Sequence, residues 1–160
     1  KAVDYDGFPI DTGTIVANRF LNPDGRIPVV IAANNLYHNF ALTEELGKLA
    51  AHQAGDKRAA VIAVGGLSTS YFDHEIDLEE DRIHSPEDDA ANRGLLDSMT
   101  AGSTALRDHL PAYAAATKCD MGMKHLAWLL GTVGDFRSAQ ILAYGATYGT
   151  GAAVVSFNTE

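Results

Sequence analysis

Ala59–Phe72 reads AAVIAVGGLSTSYF. Its apolar run, Ala59 to Val64, is unbroken and stops abruptly at Gly65-Gly66. A polar turn follows, Leu67-Ser68-Thr69-Ser70, and then the aromatic pair Tyr71-Phe72. A strand covered on both faces needs that continuity of small and β-branched residues. Paired glycines at its end let the backbone take positive φ or pass close to another group. Ligands in open α/β sheets bind beyond the carboxyl ends of strands. The Gly-Gly turn is therefore the first candidate site.

Upstream, Ile27–Ala33 (IPVVIAA) reads as a second buried strand. It ends in an equally polar and aromatic cluster, Asn34-Asn35-Leu36-Tyr37-His38-Asn39. Between the two strands, Thr43 is the expected N-cap of a helix, with Glu44 and Glu45 in its first turn. Leu46, Leu49 and Ala50 form its stripe to about Ala54, and Gly55-Asp56 ends it. Such a strand–helix–strand unit implies parallel strands and a right-handed crossover. Before it, Asp4–Pro9 is turn-like, and Asp11 caps a helix over Thr12–Leu21 whose face is Ile15, Val16, Arg19 and Phe20. Asn22-Pro23-Asp24-Gly25 is a turn.

Downstream, Ser85-Pro86-Glu87-Asp88 starts a helix with face Ala91, Leu95, Leu96 and Met99, and Gly102 terminates it. Ser103 caps a shorter helix to about His109-Leu110, and Pro111 opens an Ala-rich turn, Ala112–Thr117. Met121–Thr132 has the clearest helical period, with Leu126, Leu129, Leu130 and Val133 at i, i+3, i+4, i+7. Ala139–Tyr144 and Ala152–Phe157 are two strands joined by Gly145–Gly151. The expected fold class is α/β, with a central, mostly parallel sheet flanked by helices in a single domain over 1–160.

The 160 residues suffice for one domain burying roughly two-thirds of its unfolded surface. Apolar content of 46% and charged content of 21% are those of a soluble globular protein. The start, KAVDYDGFPIDTG, has no apolar core of a signal peptide. It also lacks an initiator Met and enters in mid-pattern, so the domain is expected to be incomplete on its N-terminal side. No apolar run approaches the ~20 residues of a membrane span. A lone cysteine, Cys119, excludes an internal disulfide and suits a reducing, cytoplasmic setting. The net charge of −9 argues against binding a nucleic-acid backbone. Asp73–Asp89 (DHEIDLEEDRIHSPEDD) carries most of it, with nine carboxylates against one arginine.

Several chemistries are weak on these residues. Gly145–Gly151 has no Gly-Lys-Ser/Thr and leads into a strand, so it is no nucleotide cradle. Ser68 lacks a Gly-x-Ser-x-Gly elbow. His74, Glu75 and His84 have the residue types of a two-His, one-carboxylate iron site, but they lie in a charge-rich loop with no rigid element. His38 follows a strand end beside Asn35 and Tyr37, a place where pockets gather. His125 stands beside Lys124 and Trp128 on the Met121–Thr132 helix.

Six segments carry a resemblance: Tyr5–Ile15 (YDGFPIDTGTI), Asn34–His38 (NNLYH), Val64–Ser68 (VGGLS), Glu75–Ile83 (EIDLEEDRI), Asp120–Gly131 (DMGMKHLAWLLG) and Tyr144–Val154 (YGATYGTGAAV). In this order they resemble the class III extradiol ring-cleavage dioxygenases, the family of the protocatechuate 4,5-dioxygenase beta subunit. Within that family they are most like the C-terminal half of alpha-type subunits from enzymes that open rings such as 2-aminophenol.

The resemblance implies the C-terminal part of an α/β fold whose catalytic members hold Fe(II) by two His and one Glu. In those members the iron-binding histidines lie in the N-terminal half, and a proton-shuttling His directly follows the Gly-Gly-Leu-Ser turn. Thr69 stands at that position here. The ligand Glu falls in a segment resembling Gly122–Leu129, and the pairing puts Lys124 in its place. Thr cannot accept and return a proton near neutral pH as an imidazole does, and Lys adds positive charge beside a dication.

The expected protein is a non-catalytic alpha-type subunit supporting a catalytic beta-type subunit, which binds the Fe(II) and the aromatic substrate. Asn35, Tyr37, His38, Gly65, Gly66, Ser68, Thr69, Lys124, His125 and Tyr148 line the expected pocket, with Thr69 a degenerate catalytic position and no metal ligand in this chain. The acidic loop and the Met121–Gly131 helix are the expected interface elements. Two alternatives are a chain catalytic in its own right, with His38 or His125 as base, and a small-molecule-binding or scaffolding module.

Overall fold

The computed structural model describes residues 10–35 and 37–159. The turn expected over Asp4–Pro9 lies outside them. The chain divides into two units, Lys1–Ala33 and Asn34–Glu160.

In the first unit, α1 spans Thr12–Leu21 with Asp11 as its N-cap, as its sequence requires. The Asp11 carboxylate accepts from Thr14 N (2.9 Å) and Thr14 Oγ1 (2.6 Å). The Thr14 hydroxyl bond is the main reason its pKa falls below the usual carboxylate value. Asn22–Gly25 is the expected turn, closed by Gly25 N to Asn22 O at 2.9 Å with Gly25 at φ +64°. Two readings change. No α1 residue is buried, so the Ile15, Val16 and Phe20 face lies open. Ile27–Ala33 is exposed and outside any ladder, because a strand requires hydrogen-bond partners and none lies beside it among the described residues.

The second unit contains α2 (Phe40–Ala54), α3 (Pro86–Thr100), α4 (Ser103–Ala116), α5 (Lys124–Val133), β1 (Ser138–Thr147) and β2 (Thr150–Asn158). Short 3₁₀ turns sit at Leu78–Glu80 and Asp120–Met123. The N-cap of α2 is Asn39, which accepts from Leu42 N at 2.8 Å. It displaces Thr43, which lies buried inside the helix and donates its hydroxyl to Asn39 O. The α2 face that packs is Thr43 and Gly47, while Leu46 and Leu49 are exposed. Close packing on α5 explains this. A Cβ on Gly47 would meet Trp128 O, and one on Gly131 would meet Glu44 O. Helix axes approach this closely only over glycine.

The start of α3 is as expected: Ser85 caps it, Pro86 opens it and Glu87, Asp88 and Asp89 fill its first turn. Pro111 does not restart a helix. It lies exposed within a continuous α4, where the chain loses one backbone donor without breaking. α5 starts at Lys124, three residues later than its period suggests. Met121, Gly122 and Met123 before it are left-handed, at φ +51°, +56° and +58°.

The one ladder among the described residues is the antiparallel hairpin β1–β2, turned by Tyr148-Gly149 at φ +53° and +88°. Both residues at positive φ match the twist of a tight hairpin. The connection is thus two residues, and Gly145 and Gly151 belong to the strands. The fold is mixed α/β, as expected. No parallel sheet occurs among the described residues, and Ala59–Val64 runs extended without a ladder partner. Its inner side still packs, since Val61 and Ala63 lie against the core formed by Leu95, Leu106, Met123, Leu129 and Leu130. Each fully buried leucine there contributes about 2 kcal/mol.

Candidate functional site

The chain after Val64 is fixed by hydrogen bonds from four directions. Gly66 N donates to Asp120 Oδ2 at 3.2 Å. Leu67 N donates to Gly151 O (3.1 Å) and Gly151 N to Ser68 O (2.9 Å), which ties the turn to β2. Thr69 N and Thr69 Oγ1 both donate to Lys118 O, at 2.6 and 2.7 Å. Ser68 N donates to Asn92 Oδ1 at 3.1 Å, and Asn92 Nδ2 returns a bond to Ser68 Oγ at 2.8 Å. Tyr113 OH also donates to Asn92 Oδ1, at 2.6 Å. Ser68 and Asn92 are fully buried. A buried amide with its partners in place fixes one geometry, because any other leaves polar groups unpaired.

The other wall is His125. A Cβ on Gly65 would fall on the His125 ring, so only glycine lets the backbone lie against it. The ring is 6% exposed, and its Nδ1 has no partner among the described residues. Burial pushes its pKa down to about 4, with Asp120 acting weakly the other way. It is therefore neutral near pH 7 and a weak base there. The left-handed run Met121–Met123 is separated from it by one residue, Lys124, the first of α5. Two non-glycine residues in that region cost about 1 kcal/mol each. Lys124 Nζ lies 5.1 Å from the centroid of the Phe40 ring. Cys119 is half-buried, and burial raises its thiol above the usual value, which fits packing rather than nucleophilic chemistry.

Of the expected pocket residues, the structure brings Gly65, Gly66, Ser68, Thr69 and His125 together, while the Lys124 side chain goes to the Phe40 ring. Asn35, Tyr37 and His38 form a separate turn, in which Asn35 Oδ1 accepts from Tyr37 N at 2.9 Å and Tyr37 is almost wholly exposed. His38 Nδ1 is buried there without a partner among the described residues. Tyr148 belongs to the hairpin turn and donates its OH to His74 O at 3.1 Å. Asn92, Tyr113, Asp120 and Gly151 were not foreseen. One signal for Asn92 was available: it is a polar residue three, four and seven positions before Leu95, Leu96 and Met99, on the apolar stripe of α3.

The acidic loop is less free than its composition suggests. Asp77 caps the 3₁₀ turn through Glu79 N at 3.1 Å. Asp81 accepts from Tyr148 N (2.7 Å) and Gly149 N (3.1 Å), so it clamps the hairpin tip rather than facing solvent for a partner. The expected interface on the Met121–Gly131 helix also changes, because Met123, His125, Ala127 and Gly131 are buried. His74 Nδ1 bonds Asp73 Oδ1 at 2.8 Å, and His74 and His84 lie 5.7 and 5.4 Å from the Phe72 ring. Among the described residues no three His, Cys, Asp or Glu side chains gather as a metal-binding group.

The titratable groups at the Gly-Gly turn are one imidazole, His125, and one carboxylate, Asp120, bonded to Gly66 N. These donors do not fit Fe(II), which takes two imidazoles and a carboxylate on one face. No described helix is long and apolar enough to cross a membrane.

No family model matches the chain. The likeness carried by the six segments extends almost from end to end. The chain is 47% identical over 163 residues, covering 99% of its own length and 60% of the relative's, to the 2-aminophenol 1,6-dioxygenase alpha subunit of Pseudomonas sp.

Proposed function

We propose that this chain is a non-catalytic, alpha-type subunit of an iron-dependent extradiol dioxygenase that opens an aromatic ring such as that of 2-aminophenol. Its partner is a catalytic beta-type subunit that binds the Fe(II) and the substrate, and the complex works in the cytoplasm. The observation that carries this reading is Thr69. It follows the Gly-Gly-Leu-Ser turn, where the resemblance expects the proton-shuttling histidine, and its hydroxyl is bonded to Lys118 O. Lys124 at the expected ligand carboxylate supports it, as does the name of the similar protein. His125 is no replacement base, since it is buried and its pKa lies near 4.

The same reading covers the open strand. Ala59–Val64 has backbone groups without partners among the described residues and Ile62 and Val64 exposed on its outer side. In this reading the segment is a strand of a central, mostly parallel sheet.

The test is iron content and oxygen uptake with 2-aminophenol. The polypeptide by itself is expected to bind less than stoichiometric iron and to show no turnover, while the native complex does both. Stoichiometric iron with turnover by this polypeptide alone overturns the reading.

A further inference from the structure

Asp120 stands where a helix cap is expected, and its carboxylate is used elsewhere. Asp is among the best N-cap residues, and the apolar period of α5 runs back toward it. Met123, Leu126, Ala127 and Leu130 are all buried, at i, i+3, i+4 and i+7. Yet α5 starts only at Lys124, and no side chain caps it. The Asp120 carboxylate instead accepts from Gly66 N at 3.2 Å, a partner 54 positions away in the chain.

Between Asp120 and α5 the backbone is left-handed, with Met121 at φ +51°, Gly122 at +56° and Met123 at +58°. Glycine takes that region freely, whereas a Cβ is crowded there. Two methionines are therefore held against their preference, and such strain persists only where the surroundings impose it. The Asp120 bond to Gly66 is one such restraint, and the complete burial of Met123 is another. The second does not depend on handedness. By its spacing, Met123 stays on the buried stripe of α5 if the helix is continued backward through it.

We propose that Met121–Met123 is a two-state latch on the Gly-Gly turn. In the closed state, that of the structure, the segment is left-handed and Asp120 holds Gly66. In the open state the segment is right-handed, α5 begins at Met121, and Asp120 caps it through the N–H of Gly122 or Met123. A cap needs right-handed residues after it, so the two uses of Asp120 exclude each other. Opening releases the Gly66 N–H and slackens the Gly65 backbone where it lies on the His125 ring. Leu67, Ser68 and Thr69 keep their bonds to Gly151, Asn92 and Lys118. The latch thus moves one edge of the turn against a fixed frame and exposes one backbone donor there.

The experiment reads amide hydrogen exchange at Gly66 in the full polypeptide, with Ser68 N–H, which Asn92 holds, as the internal reference. Gly122→Ala disfavours the left-handed turn and favours the helix. Its added methyl meets only the end of the Lys124 side chain, 3.4 Å away. It should speed Gly66 exchange about tenfold and leave Ser68 unchanged. The three-bond couplings between N–H and Hα at Met121 and Met123, which differ between left- and right-handed φ, should move toward the right-handed value in the same variant. Met121→Gly acts the other way: it relieves the left-handed turn and weakens the helix, so Gly66 exchange should slow about tenfold. Opposite signs in the two variants are what a latch requires and what a weakened fold does not give. Equal acceleration at Gly66 and Ser68 overturns the proposal, because the whole turn is then opening. Gly66 exchange indifferent to both substitutions overturns it as well, since Asp120 then holds Gly66 whatever the handedness beside it.

Discussion

Ala59–Gly65 and Gly66–Thr69 are consecutive in the chain, and the structure holds them in opposite ways. Along the first, no backbone group is bonded among the described residues. Along the second, every backbone N–H finds an acceptor: Asp120, Gly151, Asn92 and Lys118 in turn. The strand needs another strand, which no side chain can imitate. The turn needs only single groups, and α3, β2 and the segments before α5 supply them. The geometry of the site frame is therefore built by residues of this unit, whereas the segment leading into it has no ladder partner among the described residues.

The sharpest way to break this contrast is to remove the amide that organises the turn. Asn92→Leu keeps the volume but leaves Ser68 N, Ser68 Oγ and Tyr113 OH without their partner. At roughly 1–3 kcal/mol for each unpaired buried group, a loss of about 4 kcal/mol in urea unfolding is expected. A loss under about 1 kcal/mol would mean that the backbone bonds to Gly151 and Lys118 hold the turn alone.

A smaller effect comes from the opposite wall. The folded-state pKa of His125 is about 4 against an ordinary 6.5. The unfolded chain therefore takes up a proton that the folded chain refuses across that interval. The contribution of this group is full above the unfolded value and is lost as pH falls toward the folded one. Between about pH 7.5 and pH 5 the cost is about 2 kcal/mol. Asp89 and Asp135, whose pKa values are lowered by their bonded partners, lose their contributions at lower pH, outside this window. His125→Gln should flatten the stability profile over that window. An unchanged slope would show that the imidazole is not confined against Gly65.

The contrast also governs what could be read in advance. The caps of α1 and α3, the period of α5 and the hairpin strands were legible because each signal is local: Asp11 and Ser85 bond within one turn, and β1 meets β2 across two residues. The α2 cap was misplaced because Asn39 and Thr43 are both good caps, and packing of Gly47 on α5 selects the register. Of the site, Gly65 to Thr69 and His125 were legible. Asn92, Tyr113 and Gly151 were not, since their partners lie far along the chain and buried polar bonds leave no periodic trace. The ladder for Ala59–Val64 was expected from its composition, which reports burial and says nothing of where the partner is.

That last point yields the finest test, with the smallest expected effect. Val61 and Ile62 are neighbours of similar shape on opposite sides of the open strand. Val61 packs on the core, whereas Ile62 is 48% exposed. Val61→Ala should cost about 1 kcal/mol. Ile62→Ala should stay within about 0.5 kcal/mol. The difference belongs to the 160 residues by themselves. In the proposed complex, if a sheet neighbour closes over the outer side, Ile62→Ala should rise to about 2 kcal/mol while Val61→Ala changes little. Measuring both pairs by chemical unfolding separates the possibilities by sign. Equal costs in the isolated chain would show that Ile62 is already covered, and an Ile62 cost that stays small in the complex would show that the strand remains an open edge.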